Sequence, residues 1–171
     1  MKPEIWYDWD NNKNQSVFEN NFYNLHAPDI KEDTTMDANM KKRNELLAKT
    51  VIKGLESRNM SGYYAQDKEA ALKQALELIP NGSTIAMGGC MSAHEIGLVK
   101  ALQDGDYNYI DRAKLEPREG LMAAYDADFF LSSANAVTDD GVLVNIDGNS
   151  NRVSCIAQGP KKVIFIVGIN K

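Results

Sequence analysis

Three short stretches hold the residues best suited to chemistry. The first is Gly88-Gly89-Cys90-Met91-Ser92, set between the apolar run Thr84–Met87 and a helical pattern. Glycines let a backbone approach a ligand closely. A helix N-terminus then offers unpaired N–H groups and a partial positive charge to a phosphate, a carboxylate or an oxyanion. Ser92 with Glu95 three residues on has capping-box spacing, which predicts a helix opening at Ser92. Two glycines are also common in strand-to-helix turns for geometry alone, and neither a P-loop pattern nor Gly-x-Gly-x-x-Gly is present. Cys90 at a helix start could serve as a nucleophile with His94 as its base. The plainer reading makes Cys90 a small residue in a tight turn and leaves His94 exposed.

The second stretch is Ser132-Ser133-Ala134-Asn135-Ala136-Val137-Thr138, which follows a buried strand. Open α/β sheets bind ligands at such strand ends. A loop whose Ser133 and Asn135 bond their own backbone explains the composition equally well. The third runs from Asn145 through Asp147, Gly148, Asn149, Ser150 and Asn151 to Arg152. Three amides, a carboxylate and a guanidinium within eight residues exceed what a turn needs. Arg152 could grip a carboxylate or phosphate through two parallel hydrogen bonds. Asp147 could act as a general base, or it could simply pair with Arg152.

Other chemistries are disfavoured. His26, His94 and the two cysteines lack the spacing of zinc or iron–sulfur ligands. No Gly-x-Ser-x-Gly elbow accompanies a serine nucleophile. The net charge of −5, without a basic stripe, argues against a nucleic-acid partner. No apolar run reaches the ~20 residues of a membrane span, and the N-terminus has no signal-peptide core. Two cysteines make no disulfide framework. The cytoplasm is the expected compartment.

The elements that must position these stretches alternate. A helix from Asp37 carries Met40, Leu47, Val51 and Leu55 as an apolar stripe. Tyr63–Ala65 reads as a strand. Asp67 can cap a helix whose inner face is Ala71, Leu72, Ala75, Leu76 and Ile79. Further strands are expected at 84–87, 107–110, 128–132, 142–146 and 163–167, and a helix at 116–125. Val153–Gln158 could be strand or helix. The order predicts an α/β domain over residues 36–171 with an open, largely parallel sheet. Residues 1–35, with Trp6, Trp9, Phe18, Phe22 and Tyr23 among many polar residues, show no period and read as an N-terminal arm. The chain stops at Lys171 just after a core strand, which reads as a C-terminal truncation or a shorter form of a longer protein.

Taken in order, these segments resemble the LUD domain, the family of lactate-utilisation protein C. The resemblance rests on Gly88–Ser92 with Glu95–Leu98, Tyr109–Arg112, Ser133–Thr138, Gly141–Arg152 and Gly159–Val163, and spans about residues 40–171. It implies a fold similar to the NagB/RpiA/CoA-transferase group, with a pocket at the strand-end loops. It also implies a role in L-lactate utilisation beside iron–sulfur partner subunits. The family usually has serine where Cys90 stands, its longer members continue into a Cys-containing tail, and Met36 would be a more typical start.

The expected function is a subunit or accessory factor in oxidation of lactate to pyruvate, as a homo-oligomer or with partners. It would bind a small anionic metabolite or a phosphate-bearing ligand. Gly88, Gly89, Cys90, Ser92, Ser133, Asn135, Asn145, Asn149, Asn151 and Arg152 are the expected ligand residues, with Asp147 as the candidate base, no metal ligands and no cofactor assigned. A stand-alone CoA transferase or sugar-phosphate isomerase, or a non-catalytic sensing module, is the alternative.

Overall fold

The computed structural model describes residues 4–7 and 38–171. The strands are β1 (Glu4–Tyr7), β2 (Gly62–Ala65), β3 (Thr84–Met87), β4 (Asn108–Ile110), β5 (Phe129–Ser132), β6 (Ala136–Val137), β7 (Leu143–Val144) and β8 (Lys162–Gly168). The helices are α1 (Ala38–Glu56), α2 (Lys68–Leu78), α3 (Met91–Glu95), α4 (Leu98–Asp104), α5 (Pro117–Tyr125) and α6 (Val153–Ala157), with a 3-10 turn at Arg112–Lys114. Six strands form one sheet in the order β2-β1-β8-β5-β3-β4, and every pairing within it is parallel. A separate antiparallel pair joins β6 to β7. This is the open parallel α/β sheet that the alternation of elements predicts, and it is consistent with a NagB/RpiA-like fold.

The sheet is covered on both faces, so its central strands are apolar without interruption. All four residues of β5 are buried, as are the six after Lys162 in β8. Successive side chains still alternate between faces. Ile85, Phe129, Leu131, Ile164 and Ile166 pack with α2, α3 and α4. Ala86, Phe130, Val163, Phe165 and Val167 pack with α1, α5 and α6. The Asp67 carboxylate caps α2 as expected, accepting from the Ala70 N–H at 2.8 Å. The segment left open between strand and helix, Val153–Gln158, contains α6.

Three expectations change. The buried stripe of α1 is Asn44, Ala48, Val51 and Leu55, while Met40 is 43% exposed, so contact with the sheet begins a turn later than the stripe implied. No capping box forms at Ser92. The N-cap is Cys90, its side chain makes no cap hydrogen bond, and Ser92 and Glu95 both lie inside α3. Gly97, at φ +79°, then separates α3 from α4. Finally, Glu4–Tyr7, from the segment read as an N-terminal arm, forms the strand between β2 and β8. Trp9, Phe18, Phe22, Tyr23, His26 and Met36 lie outside the described residues. Among the described residues, no helix is long and apolar enough to cross a membrane.

The β6–β7 pair is pinned to α1. A Cβ on Gly54 would stand 1.9 Å from the Asp140 carbonyl oxygen, and one on Gly141 would stand 2.7 Å from the Leu55 nitrogen. Arg58 reaches the same turn, donating to the Asp140 carbonyl at 2.7 Å and to its carboxylate at 3.1 Å. Gly54→Ala should therefore push the turn off the helix and cost about 1–3 kcal/mol, read as a melting temperature several degrees lower. An unchanged melting temperature would mean that the pair is not docked there.

Candidate functional site

The chain leaves β3 toward the α3–α4 face of the sheet, whereas it leaves both neighbours, β4 and β5, toward the face that holds α5 and α6. Diverging exits open a crevice at the carboxyl ends of the strands, the usual ligand position in such sheets. Here the crevice has a volume of ≈ 630 Å³. One wall is the end of β3, Met87-Gly88-Gly89. The opposite wall is Arg112, Ala113 and Leu115 after β4, with Pro117, Arg118, Gly120 and Leu121 of α5; Asn149 and Asn151 complete it.

Two arginines therefore line one cavity. Arg112 is half-buried, its stem passes Gly120, and Nη1 makes a single long contact of 3.5 Å to the Met87 carbonyl. Arg118 is exposed on the first turn of α5. Among the described residues, neither has a carboxylate within ion-pair distance. A cation in the first turn of a helix also works against the helix dipole. The crevice lining contains no Asp, Glu, His or Cys among the described residues.

A second cluster, centred on Arg152, stands directly behind this wall. The Arg152 side chain is 10% exposed. Its Nε donates to Asp147 Oδ1 at 2.9 Å. Nη1 donates to the Ser133 carbonyl and, at 3.1 Å, to Asn145 Oδ1. Nη2 donates to Asn135 Oδ1 and, at 3.2 Å, to the Ile146 carbonyl. A guanidinium has five N–H groups, so each has an acceptor inside the protein. The Arg152 stem also packs on Gly88, where a Cβ would stand 2.9 Å from Cγ.

Asp147 is equally committed. Its second oxygen accepts the backbone N–H groups of Arg152 at 2.8 Å and Val153 at 2.6 Å. Burial pushes its pKa up, but these donors and the guanidinium outweigh burial and hold it below the usual carboxylate range. A carboxylate with a lowered pKa and both oxygens occupied is a poor proton acceptor at neutral pH. Asp147 therefore acts as the anchor of Arg152.

The expected site residues thus fall into three groups. Gly88, Gly89, Asn149 and Asn151 line the crevice. Ser133, Asn135, Asn145, Asp147 and Arg152 meet in the cluster behind it. Cys90 and Ser92 are buried at the start of α3 and do not reach the crevice. Burial pushes the Cys90 thiol up to about 12, with the Glu95 charge adding to it. A thiol so placed is not a nucleophile at neutral pH. Iodoacetamide should leave Cys90 unmodified in the native protein and alkylate it after unfolding. Rapid labelling of native protein would show that α3 opens readily.

Sequence reasoning missed Arg112 and Arg118 as site residues. A signal existed for Arg118: it stands in a helix's first turn with no acidic residue three or four positions away on either side.

The LUD domain family matches residues 48–171, well over half of the chain and all of the crevice wall. The chain belongs to the LUD domain family. The match associates this LUD protein with lactate utilisation. No curated protein and no solved structure matches it. Both the crevice and the Arg152 cluster lie inside the LUD domain, and β1 lies outside the matched residues.

Proposed function

We propose that this LUD protein is a ligand-binding subunit or accessory factor of L-lactate oxidation in the cytoplasm, working beside iron–sulfur partner subunits. Its site is the crevice between β3 and β4, where it holds an organic anion. The observation that carries the reading is the pair Arg112 and Arg118, two arginines that line one cavity and have no carboxylate partner among the described residues. Asn149 and Asn151 add amide donors and acceptors for orientation, and Gly89 keeps the floor open. The Arg152 cluster holds the loop that carries the two amides and leaves the ligand itself to Arg112 and Arg118. A transferase working through a nucleophilic carboxylate is less well supported, because the lining offers no such group among the described residues.

Thermal-shift titration tests this. A bound anion at 100 times its dissociation constant should add about 2.7 kcal/mol to stability. Arg118→Ala should abolish that shift while changing the ligand-free stability by no more than about 0.5 kcal/mol, since the side chain is exposed. A shift that survives in both Arg118→Ala and Arg112→Ala would sink the assignment of this crevice.

A further inference from the structure

The ligand class can be narrowed from the size and lining of the crevice, on the premise that it is an anion site. Pockets that enclose drug-sized ligands run roughly 300–1,000 Å³, and this one measures ≈ 630 Å³. Lactate and pyruvate have six heavy atoms each and would leave most of that volume to water. A monocarboxylate also brings one negative charge to two guanidiniums, and no acidic side chain in the described lining supplies the second.

The lining is divided in character. Arg112 and Arg118, joined by the two asparagine amides, form its polar part. Leu115 and Leu121 supply apolar surface in the same cavity. Guanidinium forks match the tetrahedral oxygens of phosphate and hold them bidentately. An apolar wall beside them suits a carbon or ring body.

We propose that the crevice takes an organic phosphate of at least two negative charges and well above lactate in size. The phosphate oxygens lie against Arg112 and Arg118, and the carbon body lies against Leu115 and Leu121. The protein thus binds a phosphorylated cofactor or metabolite, and lactate is not the ligand of this site.

Calorimetric titration of the full chain with L-lactate, inorganic phosphate, ribose 5-phosphate, ADP and coenzyme A tests it. At least one of the three organic phosphates should bind tenfold or more tightly than both L-lactate and inorganic phosphate, and that advantage should vanish in Arg112→Met/Arg118→Met. Which of the three binds separates a sugar phosphate from a nucleotide and from a longer thiol cofactor. Lactate binding as tightly as any of them, and lost in the double variant, would overturn the phosphate inference and leave the anion site standing. Binding that the double variant leaves unchanged, or no binding by any of the five, would overturn both. Circular dichroism of the double variant checks that a lost signal is not lost folding.

Discussion

Arg152→Met should lower the free energy of unfolding by about 3–5 kcal/mol, the usual cost of removing one partner from a buried ion pair. The side chains of Arg152 and Asp147 are 10% and 8% exposed, so water cannot replace the missing guanidinium. The loss also strips donors from the Ser133 and Ile146 carbonyls and from the side-chain oxygens of Asn135 and Asn145. Urea denaturation reads the effect as a lower midpoint at an unchanged slope. Pairing the change with Asp147→Asn should recover part of the stability, because no unpaired charge then stays buried. A midpoint within error of the parent would show that the cluster contributes nothing to folding.

The same pair sets a pH dependence. The folded-state pKa of Asp147 lies below its unfolded value of about 3.9. Its contribution is therefore complete above that unfolded value and is lost as pH falls through the lower folded one. Removing the Arg152 cation raises the folded pKa of Asp147, so the acid limb of the stability curve should flatten in Arg152→Met. An acid limb identical in the two proteins would assign acid sensitivity to other groups, such as Asp128 with its Lys161 and Thr84 partners, whose pKa is also lowered.

What could be read from the sequence follows the range of the interaction involved. Strands β3, β5 and β8 announce themselves because burial on both faces demands unbroken apolar runs. Asp67 announces α2 because a cap is a contact over three residues. Glu4–Tyr7 does not, since four residues in a polar context show no period, and their place in the sheet comes from pairing with β2 and β8, distant in sequence. The Ser92–Glu95 spacing misleads because backbone geometry at Cys90, with φ −141°, starts the helix two residues early.

The site was half legible for the same reason. The polar run Asn145–Arg152 does hold more hydrogen-bonding capacity than a turn needs, but that capacity is spent on itself and on Ser133 and Asn135. Composition reveals the donors and acceptors without revealing whether they face inward. Arg112 and Arg118 sit in unremarkable surroundings in the sequence. They gain meaning only because β4 lies next to β3 and delivers them opposite Gly88 and Gly89.

Those two adjacent glycines offer the sharpest separation of folding from binding. At Gly88 a Cβ would stand 2.9 Å from Arg152 Cγ and 3.0 Å from Phe130 Cζ, so the site is filled by the protein. At Gly89 a Cβ would meet nothing within 4 Å, and its φ is not in the left-handed region, so a side chain fits without strain and enters the crevice. Gly88→Ala should therefore destabilise the fold by about 1–3 kcal/mol through overpacking. Gly89→Val should leave stability nearly unchanged, because losing glycine's freedom in the unfolded chain offsets small losses elsewhere. Its two methyl groups occupy space that a ligand needs, and the affinity of whichever anion the parent binds should fall roughly 10- to 100-fold. Melting curves with and without that anion test both variants together. If Gly89→Val binds like the parent, the ligand does not approach the end of β3. If Gly88→Ala is neutral, the Arg152 stem has room to move, and the crevice wall it supports is softer than the contacts imply.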